Sequence, residues 1–237
     1  MRNIFRFFLT PLLVLVISAC GFVEEKLSCE DILENTYSQS SLNNFEKNKF
    51  KDLLSLRYPE FDVMFKEASE ETNIEKNLLA AISFQESQWD PRAKSSMGVR
   101  GMMMVTLETA ALVGVEKRLN PEQNIKGGAK YFAILFEKNK IGPTQADKLS
   151  TTLASYNLGP TNIINLANEI SNDIENVSWN EIEDKLKNIE SSKLNLTDNG
   201  SYTRGQQAID YVNRVKDYYR LLSAHSCIAP KDQLTFF

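Results

Sequence analysis

The sequence predicts an all-α fold, and two observations support that class. Apolar residues recur at helical spacing, most clearly at Ala208, Val212, Val215, Tyr219 and Leu222 near the end of the chain. No segment of the sequence alternates apolar and polar residues strongly enough to predict a strand. The chain has 237 residues and 42% hydrophobic content, which is enough to bury a core. We therefore expect one helical domain.

The first residues are predicted to be a targeting segment. Two arginines precede an apolar run at residues 7–19, and this run is shorter than the roughly 20 residues that a membrane-spanning helix needs. The sequence Ile-Ser-Ala-Cys at 17–20 resembles the lipobox of bacterial lipoproteins. That resemblance implies removal of residues 1–19, lipidation of Cys20 and, because Gly21 follows, sorting to the outer membrane. A plain signal peptide or an uncleaved anchor is the alternative.

Net charge and cysteine count limit the partners and suggest one cross-link. The formal net charge is −4, and removal of residues 1–19, which hold two arginines and no acid, makes it −6. Nucleic acid is therefore excluded as an expected partner. With Cys20 lipidated, Cys29 and Cys227 remain, and in an exported protein they are a disulfide candidate. The loop they close predicts a stabilisation on the order of 5 kcal/mol at most. Two free thiols are the alternative.

The chain between the lipobox and the domain is predicted to be a tether. Residues 20–55 are polar and contain a stretch rich in Ser, Asn and Lys, with a short helix expected around 42–54. Beyond residue 56 the signals are helical. The first clear helix should run from about Asn73 to Ser87, since Asp90-Pro91 disfavours its continuation.

The next helices are predicted from their caps. Thr106 can cap a helix that stops at Gly114. Asn120-Pro121 combines a capping residue with proline at the first helical position, which predicts another start. A helix over about 146–156 should be closed by Gly159-Pro160.

The last part of the domain follows the same logic. Ser178 and Glu181 form a capping box for a helix over 179–189. The long amphipathic helix that contains Ala208 and Leu222 comes next. We place the domain at 56–228 and expect a flexible tail at 229–237.

Common catalytic schemes are excluded by the residue inventory. The chain has one histidine, His225, so a Ser-His-Asp triad or a histidine-based zinc site would depend on it alone. No glycine-rich phosphate loop of the Walker or Rossmann form occurs in the sequence. The remaining candidates are carboxylates.

Glu86 is the carboxylate in the least expected position. It lies on the same helical stripe as Leu78, Leu79 and Ile82, near the end of the predicted helix. Partial desolvation raises the pKa of such a group, and a carboxylic acid that stays protonated near neutral pH can act as a general acid in glycoside cleavage. A glutamate that simply reaches water at a frayed helix end is the alternative.

Four ordered motifs decide between these interpretations. They are Gln85-Glu86-Ser87, Trp89-Asp90-Pro91, the run Gly98 to Thr106 (GVRGMMMVT) and Ala154 to Pro160 (ASYNLGP). Together they resemble the soluble-lytic-transglycosylase (SLT) domain over roughly 58–222, and the run GVRGMMMVT is most similar to the catalytic half of the F-type membrane-bound lytic murein transglycosylases. This resemblance implies a helical fold of the lysozyme-like superfamily, which also includes α+β members.

The resemblance also implies a reaction and its acid. The family cleaves the β-1,4 bond between N-acetylmuramic acid and N-acetylglucosamine and forms a 1,6-anhydro ring. Glu86 matches the family's single catalytic acid and base, with no metal and no organic cofactor. Asp90, four residues on, is assigned to turn structure.

Further residues are implied along the glycan groove. Tyr156 is expected to hydrogen-bond Glu86 or the glycan, and Gly98 and Gly101 to let the backbone approach the sugar. Met103 and Met104 are expected to line the groove with adaptable side chains. The implied substrate-binding set is Ser95, Gly101, Met103, Met104, Tyr156, Asn157, Tyr202 and Arg204.

The predicted function is therefore that of a lipid-anchored peptidoglycan lytic transglycosylase, a glycosidic-bond lyase. It would work in the periplasm at the outer membrane, with peptidoglycan strands as its partner. A lysozyme-type hydrolase is one alternative. A non-catalytic wall-binding lipoprotein of an envelope machine is another.

Overall fold

The computed structural model describes residues 27–95, 97–188 and 203–227, and these form a bundle of helices. In chain order the α-helices are α1 (Cys29–Gln39), α2 (Asn44–Leu56), α3 (Tyr58–Thr72), α4 (Lys76–Ser87), α5 (Leu107–Val113), α6 (Pro121–Lys138), α7 (Gln145–Leu158), α8 (Pro160–Ile170), α9 (Trp179–Asn188) and α10 (Arg204–His225). A short 3-10 helix, Ile174–Asn176, precedes α9. Within the described ranges there is no strand beyond isolated bridges at Lys94, Arg100 and Val105. The all-α prediction is confirmed.

The centre of the fold is α4. Its residues 77–84 are all buried, and the helix packs against α10 on one side and α3 on another. Around its second half lies an aromatic cluster of Phe50, Phe84, Trp89 and Tyr218. The Trp89 indole N–H donates to the carbonyl of Ala80 at 2.9 Å, so this buried ring satisfies its polar atom on the helix itself.

Local sequence signals fix several helix ends as predicted. Thr106 caps α5, and Gly114 ends it in the left-handed conformation with φ 78°. Asn120 caps α6 with Pro121 at its first position. Ser178 and Glu181 exchange the capping-box hydrogen bonds before α9.

One predicted boundary was wrong and one helix was not predicted, both for local reasons. Asn73 does not begin α4; it ends α3 in the left-handed conformation with φ 56°, and Glu75 caps α4 instead. Gly159-Pro160 closes α7 as expected, but Pro160 is also the first residue of α8, which was not predicted.

The predicted tether at 20–55 is the main correction. Residues 29–56 form α1 and α2, each opened by a complete capping box, and Phe50 of α2 is 0% exposed in the core. Ser41 between these helices donates from its N–H and hydroxyl to Asp217 at 2.8 and 2.6 Å. Residues 29–56 therefore belong to the folded unit, because α1 and α2 bury apolar surface against α10 and α3.

Cys29 and Cys227 lie together, near the first and last of the described residues. The structure joins them in a disulfide with their Cα atoms 5.3 Å apart. The Tyr37 hydroxyl and the His225 ring contact each other at 3.0 Å nearby, so the lone histidine belongs to the packing of α1 on α10. The predicted signal segment, Cys20 and the predicted tail at 229–237 lie outside the described residues.

No helix in the described ranges is long and apolar enough to cross a bilayer. Over the same residues, no group of three or more His, Cys, Asp and Glu side chains is arranged to hold a metal ion.

Candidate active site

The candidate site is built around the last turn of α4. Glu86 stands one residue before the end of this helix, and the next two residues after Ser87, Gln88 and Trp89, both have positive φ, at 56° and 57°. Two consecutive left-handed residues turn the chain sharply, and burial of the Trp89 ring holds that turn in place. The segment that follows then returns along the side of α4.

Glu86 has an environment that favours its neutral form. The residue is partly exposed, yet its carboxyl group is enclosed closely enough that burial raises its pKa to about 7. The Tyr211 hydroxyl donates to Glu86 Oε1 at 2.8 Å, which opposes part of that rise. A carboxylic acid with a pKa of about 7 can give up a proton and take one back near neutral pH. The predicted desolvated acid is thus present.

Tyr211 was not predicted from the sequence. It lies on α10, is 4% exposed, and its own pKa is raised well above the usual value, by burial first and then by the Glu86 charge. Its phenol is therefore a hydrogen-bond donor. The sequence held one signal for it, because Tyr211 follows Ala208 by three residues and precedes Val215 by four, on the stripe that defines α10.

The run at 100–105 forms the wall beside Glu86. Ser83 and Ser87 of α4 both donate to the carbonyl of Met102, at 3.0 and 2.7 Å. Because Ser87 is the neighbour of Glu86, these bonds keep the methionine run against the end of α4. The motifs Gln85-Glu86-Ser87 and GVRGMMMVT are thus in direct contact.

Asn124 of α6 holds the same run from the opposite side. Its side chain is fully buried, accepts from the Met103 N–H at 2.7 Å and donates to the carbonyls of Arg100 and Arg118 at 2.9 and 2.8 Å. All three hydrogen bonds are made to backbone groups, so the Asn124 side chain satisfies backbone atoms of this loop that no strand pairs with. Its structural role was not predicted.

Gly101 has a different role from the one expected. It is buried with φ 83°, and a Cβ placed on it would meet the Arg118 carbonyl oxygen and the Asn124 side chain, each within 2.5 Å. The absence of a side chain is needed for Asn124 to approach, and not for a sugar to do so. Gly98, with φ 79°, has no described atom within 4 Å of such a Cβ.

Met103 and Met104 differ in exposure. Met103 is 0% exposed and packs against Gly128 of α6, so the prediction that its side chain lines the groove was wrong. Met104 is partly exposed with φ 46°, in the left-handed region that side chains rarely adopt. Met104 thus stays a groove candidate.

Tyr156 does not bond Glu86. Its hydroxyl donates to the Met103 carbonyl at 2.8 Å. Burial, followed by the charge of Glu86, raises its pKa well above the usual value, so it remains a neutral phenol near the acid. The next residue, Asn157, has a buried Oδ1 atom with no hydrogen-bond partner among the described residues. Asn157 thus has an unsatisfied acceptor directly after Tyr156 in the chain.

The remaining predicted residues lie in turns or at a helix start. Asp90 accepts from the Arg92 N–H through Oδ1 at 2.9 Å, as expected for turn structure. Ser95 pairs with Val99 across a tight turn, and its hydroxyl oxygen accepts from the Val99 N–H at 3.3 Å. Arg204 begins α10 and donates to Gln207 at 2.7 Å. Tyr202 lies outside the described residues.

Comparison with known proteins places this site in a family. The profile of the transglycosylase SLT domain matches residues 63–177, which contain Glu86, the methionine run, Asn124 and Tyr156. This part of the chain belongs to the transglycosylase SLT family. The lysozyme-like fold that the motifs implied is the fold expected of an SLT domain. Tyr211 and the α1–α2 pair lie beyond the matched residues.

The relatives of this SLT domain are longer proteins. The chain is 38% identical over 169 residues to membrane-bound lytic murein transglycosylase F 1 of Alkalilimnicola ehrlichii, covering 70% of this chain and 34% of the relative. It is 36% identical over 173 residues to membrane-bound lytic murein transglycosylase F of Vibrio cholerae, covering 73% of this chain and 32% of the relative. The chain thus spans about a third of the length of these relatives.

Two solved structures are similar at lower identity. The 70 kDa soluble lytic transglycosylase of Escherichia coli is 19% identical with a TM-score of 0.47, over 70% of this chain and 24% of that one. Lytic transglycosylase Slt of Pseudomonas aeruginosa is 17% identical with a TM-score of 0.45, also over 70% of this chain and 24% of that one.

Proposed function

We propose that the protein is a peptidoglycan lytic transglycosylase that uses Glu86 as its single acid and base. The observation that carries this proposal is the enclosed Glu86 carboxyl group, with its pKa raised to about 7 by burial, at the end of α4 in an SLT domain. Membership of the family and the names of its relatives support the substrate class.

The proposed reaction needs one proton donor and no water. Protonated Glu86 gives its proton to the oxygen that links the N-acetylmuramic acid C1 to the N-acetylglucosamine C4, and the C1–O bond breaks. The carboxylate then takes the proton of the 6-hydroxyl of the same muramic acid, whose oxygen attacks C1. The products are a 1,6-anhydro-muramic end and a free 4-hydroxyl, and Glu86 is protonated again.

The neighbours of Glu86 support this use of one acid. Tyr211 orients the carboxyl group through its 2.8 Å hydrogen bond. Asp90, four residues after Glu86, has its Oδ1 engaged in a turn. We propose that the partly exposed residues Met104, Asn157, Ser95 and Arg204 contact the glycan. Tyr202 is proposed from the sequence resemblance alone.

The cellular location is proposed from the N-terminal sequence. Lipidation of Cys20 would hold the domain at the periplasmic side of the outer membrane, where peptidoglycan lies. Because α1 begins at Cys29, only the residues before Ser28 connect the anchor to the folded domain. Substitution Cys20→Ser should release the protein from the membrane fraction, whereas membrane retention of this variant would contradict the anchor.

Product analysis tests the reaction directly. Purified peptidoglycan is digested with the protein or with Glu86→Gln, and the fragments are measured by mass spectrometry. We expect 1,6-anhydro-muramic ends from the native protein and none from Glu86→Gln. Reducing ends would show a lysozyme-type hydrolase instead, and wall binding without products from either protein would show a non-catalytic binder.

A further inference from the structure

A cavity lies at the end of α4 opposite to Glu86. Its volume is about 360 Å³, and parts of α3, α4, α6, α7 and α10 line it. Its apolar walls are formed by Ile74, Leu78, Phe132, Phe136 and Leu149. Ser69, Asn73 and Tyr219 add neutral polar groups. The walls suit a small molecule with an aromatic or branched aliphatic body.

Glu75 is the charged residue in the lining of this cavity. Its Oε2 atom accepts from the Leu78 N–H at 2.9 Å and so caps α4. The side chain is partly buried, and burial is the main cause that raises the pKa of its carboxyl group. The backbone of Asn77 also hydrogen-bonds to this carboxyl group, so the start of α4 stabilises the negative charge that Glu75 brings to the cavity wall.

The neighbouring cation is already engaged elsewhere. The Lys76 ammonium donates to Asp62 at 2.7 Å, across the α3–α4 junction. Among the ion pairs of the described residues, none involves Glu75. A cationic group in the cavity would therefore meet a carboxylate whose neighbouring cation, Lys76, is hydrogen-bonded to Asp62.

The cavity touches the two helices that carry the candidate active site. Leu78 and Glu86 are two turns apart on α4, and Tyr219 and Tyr211 are two turns apart on α10. The Glu86–Tyr211 and Asn77–Ser223 hydrogen bonds show that these helices run antiparallel. Glu75 lies about 16 Å along α4 from Glu86, so a ligand in the cavity would be separate from the acid.

We propose that this cavity is a binding site for a small primary amine with an aromatic or branched aliphatic body. The ammonium group would pair with the Glu75 carboxylate, and the apolar body would lie between Leu78, Phe132 and Tyr219. A ligand with a carboxylate in place of the amine would be rejected by Glu75. This inference does not rest on the proposed wall-cleaving activity.

Three probes of similar shape and different charge test the site. Benzylamine, benzyl alcohol and benzoate are titrated into the purified ¹⁵N-labelled protein while amide chemical shifts are recorded. We expect saturable one-to-one binding of benzylamine, with the largest shifts at Asn73, Glu75 and Tyr219. Benzyl alcohol should bind at least about tenfold more weakly, which corresponds to about 1.4 kcal/mol, and benzoate should not saturate.

Variants separate charge from shape. Glu75→Gln keeps an acceptor for the α4 cap and should remove the preference for benzylamine over benzyl alcohol. Ile74→Trp should fill the cavity and abolish binding of both. Glu70→Gln changes an exposed acid of α3 outside the cavity and should bind benzylamine as the native protein does.

The proposal would be overturned by any of three results. These are absence of saturable benzylamine binding to the native protein, equal binding of benzylamine and benzoate, and shifts that cluster at Glu86 in place of the cavity. Unchanged benzylamine preference in a folded Glu75→Gln variant would equally overturn it. Failure of the product analysis with Glu86→Gln would leave all of these readouts unaffected.

Discussion

The Tyr211 hydroxyl donates a hydrogen bond to Glu86 Oε1 at 2.8 Å, and this contact joins the last long helix to the catalytic candidate on α4. Burial favours the neutral carboxyl group, while the bond from Tyr211 favours the charged one. The balance leaves the pKa at about 7, where a single group can serve first as acid and then as base.

This balance predicts how activity depends on pH. Because the pKa of Glu86 is raised above the usual value of a glutamate, the proton needed for the first step is present below about pH 7 and is lost above it. Initial rates on purified peptidoglycan should fall about tenfold per pH unit on the alkaline side. Wall binding, measured by co-sedimentation across the same pH range, serves as the control. A constant rate up to pH 9 would contradict the assignment of Glu86 as the acid.

Removal of the Tyr211 hydroxyl should shift that profile. In Tyr211→Phe the carboxylate loses the hydrogen bond that lowers its pKa, so the alkaline midpoint should move to higher pH. The rate should also fall by about tenfold or more, because the carboxyl group is no longer oriented.

Tyr156→Phe is the matched control for this measurement. Its hydroxyl donates to the Met103 carbonyl and not to Glu86, so this variant should keep the native midpoint. An equal shift in both variants, or none in Tyr211→Phe, would show that the Glu86–Tyr211 bond does not set the profile.

The packing of α2 predicts a large difference between two phenylalanines of the same helix. Phe50 is 0% exposed and stacks on Tyr218, so Phe50→Ala should lower the free energy of unfolding by about 3–5 kcal/mol. Phe45 is 72% exposed, and Phe45→Ala should change that free energy by less than about 0.5 kcal/mol. Urea unfolding followed by circular dichroism measures both. If Phe50→Ala were as mild as Phe45→Ala, residues 29–56 would be a tether after all.

Gly98 and Gly101, in the segment GVRGMMMVT, offer a second matched pair. Both have positive φ, so replacement by alanine costs roughly 1–2 kcal/mol at either position. At Gly101 the new Cβ also collides with Asn124 and the Arg118 carbonyl, which adds about 1–3 kcal/mol. Gly101→Ala should therefore unfold at clearly lower urea concentration than Gly98→Ala. Similar midpoints would mean that Asn124 is not packed against Gly101.

Local sequence was sufficient for much of the secondary structure. Thr106 with Gly114, Asn120 with Pro121, and Ser178 with Glu181 each satisfy helix-end groups within a few residues, so their effect does not depend on the rest of the chain. The same kind of signal was present at Ser28 and Asn43, which open α1 and α2 with capping boxes. The helix expected at about 42–54 corresponds to α2, whereas α1 was missed and both were assigned to a tether because residues 20–55 are polar.

The sequence by itself determined the all-α class, several of the helix ends and the unusual position of Glu86 on an apolar stripe. The tertiary structure alone decided which residues surround that acid. Hydrogen bonds between residues far apart in the chain bring Tyr211 to Glu86 and Asn124 to Met103. Packing between distant residues also buries the Met103 side chain. Helical periodicity shows which face of a helix is buried, but a contact across the core depends on how two helices are docked, and no local pattern records that.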